Sequence, residues 1–589
     1  MLYTILSDQR ILTDERKAVM VRQINRKMWF PGILLPFIFV FPPLRAAEIA
    51  KIAQYSVVEL TFDGPEQGRK DVPARDIDFW ARLRHESGSL EYKIHGFWDS
   101  DGKGGTTGGV FKIRFCPTRP GRWDLVEVYS NEQELNGQKQ GKYVTTVAWH
   151  GLPAREKHGQ DGHATEMEVP HPSFWIADPD SSGHRWYIRS DGSHQYIFGN
   201  THYSFLSGYE QDGKPSGNDI VADIKGNAKY FKKLRFSLYG DRYPNPNEKP
   251  FFDNEGHLSD SGDNSHRPNP RWFHNRADLA VQTAWEHDLI ADLILCGPDT
   301  KESRSVLRAG NNSGDPTPYL KYIAARYGSY PNVWICLCNE FNIKEPKYSE
   351  EQIARFGQII RQYLPYPTPL SVHTVPSTLW PAKFDELESW NDHQIIQKKI
   401  RNLPDAADAI EYTWRNPDGI GPRNKPTIND ELSYEGDGDK HTEQDTIESH
   451  LGAFLGGGYG TTGEKPGNKL GQYFRGCFNP AEHTSADNLK YLREIIDANV
   501  TFWKMAPDTG IFSNLHPDFR GLAWPGHEYV LGTNRAHEKI VANLPDGTWT
   551  IKRFDIISKE EQTLSESASG RFTFDAPDSR AVMFHFKRK

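Results

Sequence analysis

The chain has 589 residues, of which 37% are hydrophobic and 25% charged, and its formal net charge is −8. A single hydrophobic core stops growing near ~250–300 residues, so this length predicts more than one domain, and the apolar content excludes general disorder. A mildly acidic chain is not suited to nucleic acid or to an anionic membrane surface, so we expect neither as a partner.

The N-terminal segment follows the order of a secretory signal, in which basic, apolar and small residues succeed one another. A basic stretch precedes an apolar run over 33–41, and alanines follow at 46–47. The run is too short to span a bilayer comfortably, so we expect an exported chain without an integral membrane span after processing. The predicted signal peptide region is 1–47, with Met20 and Met28 as alternative starts. An uncleaved anchor is the alternative, and export would place the protein in the periplasm, outside the cell or at its surface.

The next segment, 52–150, consists of short apolar runs separated by Gly, Pro and Asp. This punctuation predicts an all-β domain, and the number and length of the runs favour an immunoglobulin-like β-sandwich. A turn between two predicted strands lies within 111–123, which reads Phe-X-X-Arg-Phe-X-Pro-X-X-X-Gly-X-Trp.

From 165 to 510, short β-runs alternate with amphipathic helices, as in βα units around a parallel sheet. Eight such units predict a (β/α)8 TIM barrel. The predicted strands are Tyr196–Gly199, Leu234–Leu238, Leu289–Leu295, Val333–Leu337, Leu370–Val372, His393–Ile396, Pro426–Asn429 and Gly457–Gly460. The predicted helices are Asn218–Lys233, Arg276–His287, Pro318–Tyr327, Ser349–Tyr363, Ala406–Trp414, Thr446–Phe454 and Asn488–Lys504.

The last segment, 520–589, is again rich in short β-runs, and Asp546-Gly547 supplies a hairpin turn, so a small C-terminal β-sandwich is predicted. The chain contains five cysteines, and their spacings match no zinc-binding pattern. Cys336 and Cys338 alternate within an apolar run and are interpreted as small buried hydrophobes. We expect no disulfide framework, no metal and no cofactor.

Carboxylic acids follow two of the predicted barrel strands. Strand four runs into Asn339-Glu340, and strand seven runs into Asp430-Glu431. Active sites of such barrels lie at the carboxyl ends of the strands, and strands four and seven lie on nearly opposite sides of the mouth. Two carboxyls placed there can flank a glycosidic bond, where one protonates the leaving oxygen and the other attacks the anomeric carbon from ~5–5.5 Å. The sequence therefore predicts a glycoside hydrolase with a carbohydrate as its partner and with Glu340 and Glu431 as the catalytic pair.

Further polar residues follow the strands and are predicted to bind substrate. They are Asn200, His202, Arg242, Tyr243, Asp299, His373, Gln397 and Tyr434. Arg242 is also a candidate to hydrogen-bond Glu431 and keep it ionised. Asp430 is expected to raise the pKa of the adjacent Glu431 unless it points away along the strand. Trp272, Trp380 and Trp414 are candidates for platforms that stack on sugar rings.

These residues resemble a known group of enzymes. Asn339-Glu340 and Glu431 are similar to the motifs of the retaining (β/α)8 glycosidase clan that includes cellulases and β-mannanases. Within that clan the chain resembles the apiosidase-like barrels, both over 185–203 and over 426–436, where proline precedes the second glutamate by five residues. The resemblance implies that Asn339 binds the substrate 2-hydroxyl, that Glu340 is the acid/base and that Glu431 is the nucleophile.

The flanking segments carry resemblances as well. The pattern at 111–123 is similar to an N-terminal sandwich of unassigned function that precedes such barrels, and the C-terminal segment resembles a small sandwich sometimes labelled collagen-binding. Two positions depart from the apiosidases proper, which have Asp as acid/base and often Gly before the nucleophile, where this chain has Glu340 and Asp430. The first departure argues against apiose as the substrate.

Two other functions remain open from the sequence. One is a non-catalytic carbohydrate-binding or scaffold protein on a barrel, although loss of catalysis normally removes one carboxylate and both are retained here. The other is an adhesin that acts through its β-domains, which rests only on the resemblance of the C-terminal segment.

Overall fold

The computed structural model describes residues 47–148, 173–209, 215, 217, 219–240, 244–297, 299–308, 315–374, 380–381, 384, 390–417, 421–436, 441–464 and 483–589. Residues 1–46 of the predicted signal region, the candidate residues Arg242 and Tyr243, and Cys477 lie outside these ranges. Ala46–Lys589 forms one compact unit, and the predicted domain boundaries within it stay predictions. Among the described residues, no helix is both long enough and apolar enough to cross a bilayer.

The N-terminal part is a β-sandwich, as predicted. Its strands are β1 Glu48–Ala53, β2 Val58–Gln67, β3 Phe79–His85, β4 Glu91–His95, β5 Phe97–Trp98, β6 Gly108–Phe115, β7 Gly121–Ser130 and β8 Tyr143–Val147, with a short helix at Pro73–Asp76. A five-stranded sheet in the order β1-β8-β7-β3-β4 packs on a three-stranded sheet in the order β2-β6-β5. Aromatic side chains from both sheets, including Phe62, Phe79, Phe111 and Trp123, fill the core between them.

The central part is a parallel eight-stranded barrel. Barrel strands one to eight are Phe198–Thr201, Lys233–Ser237, Ile290–Ile294, Val333–Cys336, Leu370–Ser371, Gln394–Ile396, Thr427–Glu435 and Tyr459–Glu464. Their order in the sheet, 5-4-3-2-1-8-7-6, confirms all eight predicted strands. Two hydrogen bonds link strands five and six. The Asp392 amide donates to the Leu370 carbonyl at 2.9 Å, and the Ser371 hydroxyl donates to the His393 carbonyl at 2.6 Å. The barrel is therefore nearly closed.

Helices surround the barrel at the predicted places. The main helices are Ile220–Ala228, Leu279–Glu286, Thr317–Tyr327, Glu350–Arg361, Leu403–Arg415, Glu443–Leu455 and Ala486–Asn499. Shorter helical turns are Ser182–His184, Phe205–Ser207, Gly262–Asn264, Pro270–Trp272, Phe273–Asp278, Lys301–Arg304, Ser305–Leu307 and Phe502–Lys504. Two starts are fixed by reciprocal capping boxes, in which Ser349 pairs with Gln352 and Thr442 pairs with Asp445. Short strand pairs lie at Trp175–Ala177 with Tyr187–Arg189 and at Phe251–Phe252 with Leu258–Ser259.

The C-terminal part is the predicted small β-sandwich. One sheet contains, in spatial order, Ala506–Pro507, Arg520–Trp524, Glu528–Thr533, Val582–Arg588, Trp549–Asp555 and Glu560–Ala568. The other contains Phe512–Ser513, His537–Asn543 and Arg571–Ala576. Trp549, Ile540, Phe574 and Phe584 lie in the shared core, so each sheet buries one apolar face against the other.

A buried ion cluster joins the N-terminal sandwich to the barrel. Arg114 on β6 donates to the Asp278 carboxylate at 2.6 Å and to the Arg326 carbonyl at 2.8 Å. Arg326, on helix Thr317–Tyr327, pairs with the same Asp278 at 2.7 Å and with Asp99 at 2.9 Å. Burial alone would raise the pKa of Asp278, but the two arginines hold it far below its usual range. The arginine of the 111–123 pattern therefore fixes the sandwich on the barrel.

Candidate active site

The two predicted glutamates lie at the same end of the barrel. Glu340 follows strand four and Glu431 is within strand seven, and their exposed fractions are 9% and 8%. Burial raises the pKa of Glu431 to about 7, and the charge of Glu340 raises it further while Arg235 and Tyr203 lower it. The two carboxyls thus influence each other electrostatically, as required of a pair that acts on one bond.

Glu431 accepts its hydrogen bond from a tyrosine. The Tyr203 hydroxyl, just past strand one, donates to Glu431 Oε1. Arg235 Nη1 donates to the Tyr203 oxygen at 2.9 Å and lies 3.9 Å from Glu431 Oε1. Arg235 is fully buried on strand two, and its Nη2 donates to Asn339 Oδ1 on the opposite side of the site. One guanidinium therefore contacts groups beside both glutamates.

Glu340 has a different set of partners. Gln397 Nε2 donates to Glu340 Oε1 at 2.6 Å, and Lys344 Nζ lies 3.1 Å from Oε2. Lys344 also pairs with Asp299, so its charge is shared between two carboxylates. Two predicted substrate-binding residues, Gln397 and Asp299, thus contact Glu340 or its lysine partner.

The loop that carries Glu340 is held by a buried arginine. Glu340 has a φ of +49°, in the left-handed region that residues other than glycine rarely adopt. Arg304 is fully buried and donates to the Asn339 carbonyl at 2.8 Å and the Glu340 carbonyl at 3.1 Å. Such backbone strain persists only where surrounding contacts maintain it, and it concentrates at functional sites.

Asp430 does not act on Glu431 in the way that the sequence suggested. Its buried carboxylate pairs with Lys233, accepts a hydrogen bond from the Thr461 hydroxyl at 2.5 Å and lies 3.4 Å from His373 Nε2. Burial alone would raise the pKa of Asp430, but Lys233 and His373 hold it well below its usual range. The expected increase in the pKa of Glu431 therefore comes from burial and Glu340 rather than from Asp430.

An irregularity in strand seven explains how the side chains of two consecutive acids, Asp430 and Glu431, can both face the barrel interior. On a regular strand, consecutive side chains point to opposite faces. Asp430 contacts Lys233 and Glu431 lies near Arg235, although Lys233 and Arg235 are two residues apart on strand two and share a face. The pairing of strands seven and eight shifts register between 429 and 433, which is the irregularity that this placement requires.

The remaining predicted residues divide into two groups. His373 Nδ1 is 3.1 Å from Gln397 Oε1, and its pKa is lowered to about 4 by burial and by Arg235. Tyr434 is buried beside Tyr203, and burial and the charge of Glu431 raise its pKa well above the usual value. These two residues belong to the site.

Asn200 and His202 occupy a different place. Both are fully buried, and the Asn200 side-chain amide donates to Asn227 Oδ1, on helix Ile220–Ala228, at 2.8 Å. Asn200 Nδ2 lies 3.1 Å from His202 Nε2, so the two side chains contact each other. Their assignment as substrate ligands stays a prediction.

Two of the three tryptophans predicted as platforms are buried, and Trp414 stays a prediction. Trp272 is fully buried and its indole N–H donates to the Leu238 carbonyl at 2.9 Å, so its interpretation as a platform is wrong. Trp380 is 3% exposed and packs edge-on against Phe384. The Trp414 indole donates to the Gly183 carbonyl at 3.1 Å.

Several site residues were missed from the sequence: Tyr203, Lys233, Arg235, Lys344 and Thr461. Lys233 and Arg235 alternate within an otherwise apolar strand, and this period of two was a signal that they face the barrel interior. Gly199 on strand one leaves space for this network, because an added Cβ would lie 2.7 Å from Thr461 Oγ1 and 2.9 Å from Lys233 Cε. Within the described ranges, no group of three or more His, Cys, Asp or Glu side chains is arranged to hold a metal ion.

Comparisons with known proteins agree with this architecture. A putative glycoside hydrolase from Bacteroides vulgatus ATCC 8482 is 20% identical, with a TM-score of 0.67 over 92% of this chain and 100% of its own. A glycoside hydrolase family 5 structure from the same organism is 13% identical, with a TM-score of 0.55 over 72% of this chain and 96% of its own. A third structure, named glycoside hydrolase, is 12% identical, with a TM-score of 0.54 over 71% of this chain and 97% of its own.

These similarities establish a glycoside hydrolase-like fold. No match was found among curated proteins. In comparisons with family sequences, residues 51–129 match a domain of unknown function, DUF5060, and residues 232–462 match the apiosidase-like catalytic domain. The match to the apiosidase-like catalytic domain thus runs from barrel strand two into strand eight.

Proposed function

We propose that the protein is a retaining glycoside hydrolase in which Glu340 is the acid/base and Glu431 the nucleophile. The observation that carries the proposal is the pair of buried glutamates at strands four and seven, each with its own set of hydrogen-bond partners. Glu340 protonates the leaving oxygen while Glu431 forms a glycosyl-enzyme bond, and Glu340 then activates the water that breaks this bond. We expect the carboxyl oxygens to lie within the short range of a retaining pair.

The surroundings of Glu431 suit a nucleophile. With its pKa raised to about 7, the carboxyl is a stronger base than an ordinary glutamate, yet a large fraction is ionised near neutral pH. Tyr203 donates to it and Arg235 is nearby, so the buried anion is stabilised. The positive charge that develops on the anomeric carbon favours the ionised form further.

The hydrogen-bond chain behind Glu340 suits an acid. As oriented, Gln397 donates through Nε2 to Glu340 and presents Oε1 to His373 Nδ1. A neutral His373 that donates to the Asp430 carboxylate through Nε2 has only a lone pair at Nδ1, which cannot bond to an amide oxygen. If the Gln397 amide turns over, its N–H donates to His373 and its oxygen accepts a proton from Glu340, so every group is satisfied when Glu340 is protonated.

Azide tests the two roles separately. In Glu431→Ala, azide takes the place of the missing nucleophile and attacks from its side, so we expect a glycosyl azide of inverted configuration. In Glu340→Ala with an activated leaving group, the glycosyl-enzyme still forms, and azide should give the retained configuration. If Glu431→Ala instead gave the retained azide and Glu340→Ala the inverted azide, the two assignments would have to be exchanged.

The stereochemistry of hydrolysis tests the mechanism as a whole. A double displacement inverts the anomeric carbon twice, so the first sugar anomer released should match that of the substrate. Proton NMR at an early time point distinguishes the anomers before mutarotation mixes them. Release of the opposite anomer first would rule out the covalent intermediate even if both glutamates are essential.

The class of activity needs its own test. A panel of neutral and acidic plant and microbial polysaccharides, scored for new reducing ends, should give at least one substrate whose cleavage is lost in Glu431→Gln. Binding without release of reducing ends would favour the non-catalytic carbohydrate-binding alternative. We also propose that the chain is exported, on the basis of the basic, apolar and small residues within 1–47.

A further inference from the structure

Two thiols lie side by side beneath the loop that carries Glu340. Cys296 follows barrel strand three and Cys338 follows strand four, and their Sγ atoms are 3.0 Å apart. The backbones there are held together, because the Asn339 amide donates to the Cys296 carbonyl at 2.8 Å. Both side chains are fully buried, and both are free thiols in this structure.

The separation is short for two unlinked sulfur atoms. Ordinary contact between non-bonded carbon atoms is ~3.5–4.0 Å, and sulfur is larger, whereas a disulfide bond is ~2.05 Å. At 3.0 Å the sulfurs therefore lie between contact and covalent distance, and about 1 Å of further approach would bring them to bonding distance. Cys336 is placed differently, since its Sγ is directed at the Cys338 carbonyl at 3.5 Å.

The neighbouring polar groups keep hydrogen-bond partners when both thiol protons are lost. In the reduced state Cys338 donates to Cys296, and Cys296 donates to the Arg304 carbonyl at 3.2 Å. That carbonyl also accepts a hydrogen bond from the Tyr348 hydroxyl at 2.6 Å, so it keeps a partner if the thiol proton is lost. A disulfide here would leave no buried polar group without a partner among these residues.

We propose that Cys296 and Cys338 form a disulfide when the chain folds in an oxidising compartment. The thiolate of one cysteine attacks a low-molecular-weight disulfide such as oxidised glutathione and releases one reduced thiol. The second cysteine then attacks the mixed disulfide and releases the other, so two protein thiols are oxidised, one small disulfide is reduced, and the two protons leave with the released thiols. Because both sulfurs are fully buried in the folded protein, the exchange takes place during folding.

The consequence of the bond is local. It joins the ends of strands three and four, directly before Asn339-Glu340 and next to the carbonyls that Arg304 binds. It therefore restricts relative movement of the two strands beneath a backbone that adopts the left-handed conformation at Glu340. The proposal does not depend on the proposed enzymatic activity, and its test needs no substrate.

Thiol counting tests the proposal on the full chain. The protein is prepared from an oxidising compartment and unfolded in guanidinium chloride with N-ethylmaleimide and without reductant. Of its five cysteines, three should be alkylated, and all five should react after reduction. Peptide mapping should show one cross-linked pair that joins Cys296 and Cys338.

Serine variants provide the control, and none of the readouts requires that a variant be active. Cys336→Ser should retain the cross-link, and Cys296→Ser should lose it. Because mapping of the wild-type chain is done on unfolded protein, it decides the question even if a variant folds poorly. Alkylation of all five cysteines without reductant, or a cross-link that uses Cys116, Cys336 or Cys477, would overturn the proposal.

Discussion

Removal of the Tyr203 hydroxyl should move the pH dependence of the reaction. As the proposed nucleophile, Glu431 must be ionised to attack, so kcat/KM is expected to rise with pH through the pKa of about 7. The Tyr203 hydroxyl donates to Glu431 Oε1 and lowers that pKa. In Tyr203→Phe the ionised form loses this donor, so the acidic limb should shift toward higher pH.

The magnitude follows from the hydrogen bond that is lost. A hydrogen bond to a charged group contributes ~1.5–3 kcal/mol, which corresponds to about 1–2 pKa units. Arg235 Nη1 bonds to Tyr203 and lies 3.9 Å from Glu431 Oε1, so it can approach the carboxylate in the variant and recover part of the loss. We therefore expect a shift near the lower end of that range, of about 1 unit.

The measurement is kcat/KM across mildly acidic to mildly alkaline pH, with circular dichroism to verify folding. Tyr319→Phe is a matched control, since Tyr319 is fully buried and its hydroxyl donates to the Leu295 carbonyl at 3.1 Å. Its acidic limb should coincide with that of the wild type. A Tyr203→Phe limb that stays in place or moves to lower pH would refute the role given to this hydrogen bond.

Two other changes have distinct signatures. Gln397→Met removes the side-chain amide that hydrogen-bonds Glu340, so kcat should fall for substrates with poor leaving groups and much less for activated ones. Gln394→Met, at a buried glutamine that bonds to a strand-seven hydroxyl, should not show this split. Equal losses on both substrate types would contradict the positioning role. Arg114→Ala breaks a buried ion cluster and should reduce the free energy of unfolding, measured by denaturant titration, by about 3–5 kcal/mol. Arg84→Ala, which breaks an exposed ion pair, should change that free energy little.

The fold could be predicted because its signals are local. Most predicted barrel strands are short, largely apolar runs followed by polar residues, and several main helices begin at a side-chain cap, as at Asp219, Ser349 and Thr442. Boundaries were less exact where tertiary pairing extends a strand: strand seven continues to Glu435 because it pairs with strand eight beyond the register shift. The sequence has no local signal for such an extension.

The partners of the site residues could be predicted only in part. Reading past the ends of the strands found Glu340, Glu431, His373 and Gln397, because active-site groups of barrels lie there. It missed Arg235, which lies within strand two, since its function appears only when the closed barrel brings strands two, four and seven across from one another. The sequence could place polar groups at the mouth, but distinguishing substrate ligands from groups that bind catalytic residues required their contacts.

The position of Arg235 suggests how the two sides of the site are kept at a fixed distance. Glu431 is on strand seven and Asn339 follows strand four, so the two residues come from different sides of the barrel. Arg235 reaches Asn339 with Nη2 and, through Nη1, the tyrosine that bonds to Glu431. A planar guanidinium has its donors in fixed directions, so a shift of one side is resisted by the other. The distance across the mouth, on which a retaining mechanism depends, is thus maintained by a side chain at the centre of the barrel rather than by the loops around it.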